Sequence, residues 1–149
     1  MVRQKESGDL INIDEHLGVM RGALAGDSRI LAAYIFGSYG TPDQTPLSDV
    51  DLAVLFEEGV KVSLDDELAL SAALSSIARE DDLNLIILNK APVDLQFKVI
   101  STGRPLFRRD SLRVADFVER VLKLYGDFGV DLAQFNRDYE ARLREVYSK

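Results

Sequence analysis

Leu10, Ile13, Leu17, Met20 and Leu24 recur at alternating steps of three and four, which is the apolar stripe of an amphipathic helix, with Asp9 placed to cap it. Gly26-Asp27-Ser28 breaks the stripe. Ile30 to Phe36 follows as a short apolar and aromatic run ending at a glycine, and predicts a buried strand. Gly37 to Ser48 holds two glycines, two prolines and several hydroxyl residues, and reads as loop. Val50 to Phe56, punctuated by Asp51, predicts a second strand. Ser63 followed by Asp66 has the pattern of a capping box with the shorter acid, ahead of a helix striped by Leu70, Leu74 and Ile77. Leu83 to Leu88 reads as a third strand, interrupted by Asn84. Pro92 suits the first turn of a short helix ending near Gly103, and Pro105 to Phe107 suits a short edge strand. In the tail, Val114, Phe117, Val118, Val121, Leu122, Tyr125 and Phe128 share one helical face. After Gly126 and Gly129 a second stripe runs through Leu132, Phe135, Tyr139 and Leu143, facing either the core or another chain.

This order predicts an α/β (α+β) fold: a small mixed β-sheet flanked by helices, with a C-terminal helical tail from about residue 111. The dozen or so loop residues between the first two strands leave little room for a crossover helix, so those strands are expected to be antiparallel or joined by a single helical turn. Without repeat or linker, residues 1–149 are expected to form a single domain. At 46% hydrophobic the chain can bury a proper core. A net charge of -7 disfavours long polyanions, so no stable nucleic-acid binding is expected. The absence of cysteine excludes disulfides, zinc thiolates and thiol catalysis, and fits a reducing cytoplasm. Met1 to Gly8 has no apolar stretch suited to a signal peptide, and the longest apolar run is too short to cross a bilayer. The single histidine, His16, lies in a polar stretch and receives no role.

The chemistry concentrates where the first two strands approach the loop. Gly37-Ser38 follows the first strand, and Asp49-Val50-Asp51 opens the second. Strand side chains alternate faces, so Asp49 and Asp51 should point the same way, roughly 7 Å apart along the chain. Val50, Leu52, Val54 and Phe56 then occupy the opposite, buried face. Two carboxylates projecting together call for a cation. Mg2+ is the natural one, since it uses one or two carboxylates together with substrate phosphates. A pair of such ions about 4 Å apart would clamp the attacking and leaving oxygens of a phosphoryl displacement. Gly37, lacking Cβ, lets backbone approach a phosphate, and Ser38 can add its N–H and hydroxyl.

Ala33-Tyr34-Ile35-Phe36-Gly37-Ser38 with Ser48-Asp49-Val50-Asp51-Leu52-Ala53-Val54 resembles the signature of the polymerase-beta-type nucleotidyltransferase superfamily. Within it, the short chain is similar to the minimal nucleotidyltransferase (MntA-like) antitoxins. Leu88-Asn89-Lys90-Ala91-Pro92, Leu95-Gln96-Phe97 and Tyr125-Gly126-Asp127-Phe128 add to the likeness. The resemblance implies transfer of AMP from ATP to a tyrosine of a HEPN-domain RNase toxin (HepT-like). It implies Asp49 and Asp51 as metal-binding catalytic acids, and Gly37 and Ser38 as nucleotide-binding residues.

Two departures stand out. The superfamily usually supplies a third carboxylate from a later strand, where this chain has Asn84; Asp82, two residues earlier on the same face, is the candidate substitute. Many relatives carry an arginine and a glycine where this chain has Thr41 and Pro42. The rival expectations are a degenerate antitoxin that neutralises its partner by contact alone, favoured by Asn84, and a nucleotidyltransferase acting on a small molecule such as an aminoglycoside. Arg104, Arg108, Arg109 and Arg113 form a basic cluster, read either as contacts to ATP phosphates or the partner, or as a solvated helix flank. Tyr39 is either an adenine-stacking or a packing residue. A homo-oligomer is left open.

Overall fold

The computed structural model describes residues 9–126 and 131–148. Asp127, Phe128 and Gly129, which belong to the predicted tail stripe and the Tyr-Gly-Asp-Phe segment, lie outside them. The elements are α1 (Leu17–Ala25), β1 (Ile30–Phe36), β2 (Val50–Phe56), α2 (Leu64–Ala78), β3 (Leu83–Ile87), α3 (Val93–Thr102), β4 (Arg104–Arg108), α4 (Ser111–Tyr125) and α5 (Leu132–Tyr147). The strands form one mixed sheet in the order β3-β2-β1-β4. β1 pairs antiparallel with β2 and β4, whereas β2 and β3 run parallel because α2 returns the chain between them.

Both faces of the sheet are covered, which explains why β1 and β2 read as continuous apolar runs instead of alternating ones. On one side Val50, Leu52, Val54 and Phe56 pack with Ala33, Ile35 and the inner residues of α1 and α2. On the other, Tyr34, Ala53 and Leu55 pack against α3, α4 and α5. Leu17, Met20 and Leu24 of α1 are almost wholly buried, each contributing about 1.5–3 kcal/mol by removal of apolar surface from water. Pro105 is accommodated on the edge strand, next to a register irregularity opposite Ala33 and Tyr34.

The tail stripes are core. Val114, Phe117, Val118, Val121 and Leu122 of α4 are buried, as are Tyr139, Leu143 and Val146 of α5. The Tyr34 and Tyr139 hydroxyls meet at 2.8 Å inside the core. Burial pushes Tyr34 well above the usual phenol range and Tyr139 up to about 12, so both stay protonated. Tyr125, about half exposed, stacks on Phe97 with ring centres 4.0 Å apart, whereas Leu132 is about half exposed at the start of α5. The first helix also begins later than its stripe suggests. Residues 14–16 form a 3-10 turn, His16 is the residue before α1 with no side-chain cap, and Leu10 lies 50% exposed while Ile11 takes a place in the core. Asp9 is therefore too far upstream to cap α1. Apolar spacing cannot distinguish a helical turn from an irregular lead-in that drops every second or third residue into the same core.

The Ser63 capping box forms as expected, with Ser63 Oγ accepting from Asp66 N–H at 3.1 Å and Asp66 Oδ2 accepting from Ser63 N–H at 3.0 Å. At its other end α2 closes on Arg79, held in the left-handed region at φ 54°. Its N–H and that of Glu80 turn back to the Ser75 and Ser76 carbonyls, a Schellman closure in which glycine is the usual residue. Arg79→Gly is expected to stabilise the protein by about 0.5–1 kcal/mol, as relief of left-handed strain outweighs the extra freedom gained by the unfolded chain. A urea titration should show a higher midpoint at unchanged slope; a lower midpoint would refute the strain argument.

Candidate active site

Every residue of β2 is buried except Asp51, which is partly exposed. β2 is an inner strand, so Asp51 has a neighbour on each side: Phe36 of β1 and Asn84 of β3. Asp49 lies two residues earlier and is also partly exposed. The Asn84 amide nitrogen sits 3.1 Å from Asp49 Oδ2 and 3.2 Å from Asp51 Oδ1. Carboxylates only accept hydrogen bonds, so the amide must face them with nitrogen, one proton to each. The two acids therefore project to the same side, towards a single point beside β3.

Gly37 ties this pair to the loop. It has φ 73°, and a Cβ there would overlap Asp51 Oδ2. Only a residue without a side chain allows the carboxylate to lie directly against the Gly37 backbone while the chain turns in that conformation. Beyond it the loop is a succession of turns. Thr41 donates to the Ser38 carbonyl from both its N–H, at 2.9 Å, and its hydroxyl, at 2.6 Å. Gln44 accepts from Gly40 N–H at 2.9 Å and donates to the Ile11 carbonyl at 2.9 Å. The phosphate-cradle candidates Gly37 and Ser38 thus lie beside the acids, and no helix intervenes between β1 and β2.

Asp82 immediately precedes β3, one step beyond the Val50–Leu83 pair. Its carbonyl accepts from Val50 N–H at 2.9 Å, and its own N–H donates to Glu80 Oε2 at 2.9 Å. It is Asn84 whose side chain reaches both Asp49 and Asp51. Glu80, only 5% exposed, shapes the entry to β3. No sequence signal marked it, since an acid in Glu80-Asp81-Asp82 looks solvated. Among the described residues no group of three or more His, Cys, Asp or Glu side chains is placed to hold a metal, so Asp82 does not join Asp49 and Asp51 in such a group.

Other residues singled out by sequence prove structural. Tyr39 is 3% exposed, so it packs instead of offering a stacking face. Its hydroxyl donates to Asp14 Oδ1 at 2.8 Å and accepts from Ile13 N–H at 2.8 Å. Burial holds its phenol far above the usual range. Asn89 closes the far end of β2, accepting from Phe56 N–H at 2.8 Å and donating to the Phe56 carbonyl at 2.9 Å. Gln96 donates to the Leu88 carbonyl at 2.9 Å. The basic cluster disperses. Arg108 pairs with Glu140, Arg113 with Glu57, and Arg109 donates to the carbonyls of Leu24, Ala25, Asp27 and Ile30. Only Arg104 turns to the loop, donating to the Tyr39 carbonyl. A hollow of about 500 Å³ bordered by Phe56, Glu57, Asn89, Arg113 and Phe117 lies at the opposite end of β2 from the acids, roughly 17 Å away at strand rise.

The family model described as polymerase beta nucleotidyltransferase matches residues 21–112, which include β1, β2, the loop between them and Asn84. Among solved structures, the chain is similar to one from a Shewanella oneidensis complex of a tri-AMPylated HEPN toxin with an MNT antitoxin. That match has TM-score 0.60 and 20% identity, and covers 91% of this chain and 99% of the other. A chain of a toxin–antitoxin complex with AMP-PNP matches with TM-score 0.60 and 20% identity, covering 90% and 98%. A chain of the MntA–HepT toxin–antitoxin complex matches with TM-score 0.57 and 19% identity, covering 89% and 97%. At such identities the likeness is one of fold. No curated protein sequence matches.

Proposed function

The chain belongs to the polymerase beta nucleotidyltransferase family, and from that premise we propose that it is an antitoxin enzyme moving AMP from ATP onto a tyrosine of a HEPN-domain RNase toxin. The observation that carries this reading is the convergence of Asp49 and Asp51 on one amide, with the Asp51 carboxylate lying against Gly37. The similarity in fold, over nearly the whole length, to chains from MNT–HEPN complexes points to the partner. Leu47, 73% exposed and two residues before Asp49, offers a protein partner an apolar contact beside the acids. No helix among the described residues is long and apolar enough to cross a membrane, and we place the reaction in the cytoplasm.

The donor set fits Mg2+. Asp49 and Asp51 supply two hard oxygens on one side, and the opposite end of the Asn84 amide is a third, neutral oxygen available after a half-turn of the side chain. When bound, the metal supplies Lewis-acid neutralisation of phosphate charge. Asp49 and Asp51 would hold the ion, while the Gly37-Ser38 backbone would cradle the phosphates. The phenolic oxygen of the acceptor attacks the α-phosphorus, the bond to the bridging oxygen breaks, and pyrophosphate leaves with the electron pair. Asn84 cannot take the phenolic proton, and Asp82, at the entry to β3, is the candidate acid for that role. A phenol, with pKa about 10, needs less help in losing its proton than an aliphatic alcohol.

The test is to incubate the protein with MgATP and a HEPN-domain protein encoded beside it and to weigh both intact. The expected result is a gain of one or more AMP groups by the HEPN protein, dependent on Mg2+. A second reading, binding-only neutralisation, is favoured by Asn84 in the third position. It predicts a tight complex without any change of mass.

A further inference from the structure

We propose that Arg104 is the cation of the phosphate loop, holding it by the Tyr39 carbonyl and directing its remaining donors to the β- and γ-phosphates, so that triphosphates are preferred to monophosphates. This rests on the nucleotidyltransferase reading given above. Arg104 opens β4 opposite Ile35, two residues before Gly37. Its guanidinium donates to the Tyr39 carbonyl and lies 5.6 Å from the centre of the Tyr39 ring. Gly40 makes room for it. At φ 70° Gly40 has a conformation that side chains rarely adopt, and a Cβ there would stand 2.5 Å from Arg104 Nη1. The loop is thus shaped around a positive charge, much as it is shaped at Gly37 around a carboxylate.

That charge differs from its neighbours. Arg108 and Arg113 are neutralised by Glu140 and Glu57, and the Arg109 donors are occupied by four backbone carbonyls. Among the described residues Arg104 makes no ion pair with a carboxylate. A guanidinium has five donors, and the Tyr39 carbonyl is one acceptor. A cation that no described carboxylate neutralises, beside a loop of turns, suits a polyanion. The loop itself, residues 37–48, carries no lysine or arginine. The positive charge therefore comes from the neighbouring edge strand.

The test measures binding of AMP-PNP and of AMP, each with Mg2+, by calorimetry on the wild-type chain, Arg104→Gln and Arg104→Lys. Glutamine keeps a donor for the Tyr39 carbonyl but not the charge. Arg104→Gln should lose about ten- to a hundred-fold in affinity for AMP-PNP and less than about two-fold for AMP, the range expected for charge-assisted hydrogen bonds. Arg104→Lys should retain part of the preference for the triphosphate. Equal losses for both nucleotides would reduce Arg104 to a holder of the loop and overturn the proposal, as would an Arg104→Gln variant that binds AMP-PNP like wild type. Should Arg104→Gln fail to fold, a folded Arg104→Lys variant without any triphosphate preference would overturn it equally. If the wild-type chain fails to bind AMP-PNP, the nucleotidyltransferase reading itself falls and this assignment falls with it.

Discussion

Asp51→Asn is expected to lower AMP transfer by about 10³-fold or more while leaving the fold intact. The carboxylate lies at the tip of an inner strand, against Gly37 on one side and Asn84 on the other. Its replacement is nearly isosteric, and the new amide oxygen still accepts a proton from Asn84, so packing around β2 is unaffected. What is lost is one of two negative charges for the cation. A metal's electrostatic contribution to phosphoryl transfer amounts to several kcal/mol, and each 1.4 kcal/mol is a factor of ten in rate. Relief of repulsion between Asp49 and Asp51 should leave the metal-free melting temperature equal to or above that of wild type. Intact-mass kinetics beside thermal unfolding would check both halves. A variant that transfers AMP at near the wild-type rate would remove Asp51 from the site, whereas one that unfolds would make the residue structural.

Asn84→Asp should act in the opposite direction on catalysis, raising turnover by about tenfold or more, because a carboxylate in that position adds both a charged metal ligand and a base. It should also cost stability when no metal is present. The Asn84 amide now donates one proton to each acid; a carboxylate would instead repel both, by about 1 kcal/mol per pair for charges about 4 Å apart in water. Mg2+ should then stabilise the variant by more than it stabilises wild type, which thermal unfolding with and without the ion can measure. An Mg2+ response no larger than that of wild type would remove position 84 from the metal site. Unchanged turnover, together with an inactive Asp82→Asn variant, would give the third role to Asp82. Both results bear on the binding-only alternative, in which Asn84 is a lasting loss.

The elements that periodicity and turn chemistry specify strongly are where the sequence places them. β1 and β2 run over the predicted residues because seven-residue apolar runs ending at glycine or acid have few other ways to bury themselves. Ser63 caps α2 because side chain and backbone lie three residues apart. The failures arise where distant partners choose among local possibilities. Ile11 is buried in place of Leu10 because the residues leading into α1 are not helical, and Leu132 is about half exposed at the start of α5. Within the site, the same-side placement of Asp49 and Asp51 follows from the pleat alone. Asn84 joining them required β2 and β3 to be parallel and in the register that sets Asp51 opposite it.

The sequence by itself determined which strands form, that their runs are buried, and that two acids would stand together beside a glycine turn, since these follow from spacing within a few residues. Only the tertiary structure decided which side chains close that constellation. Asn84 lies 33 residues from Asp51 and Arg104 lies 65 from Tyr39. Contacts across such separations depend on strand order and register, which are set by how the whole core packs and not by any local preference of the chain.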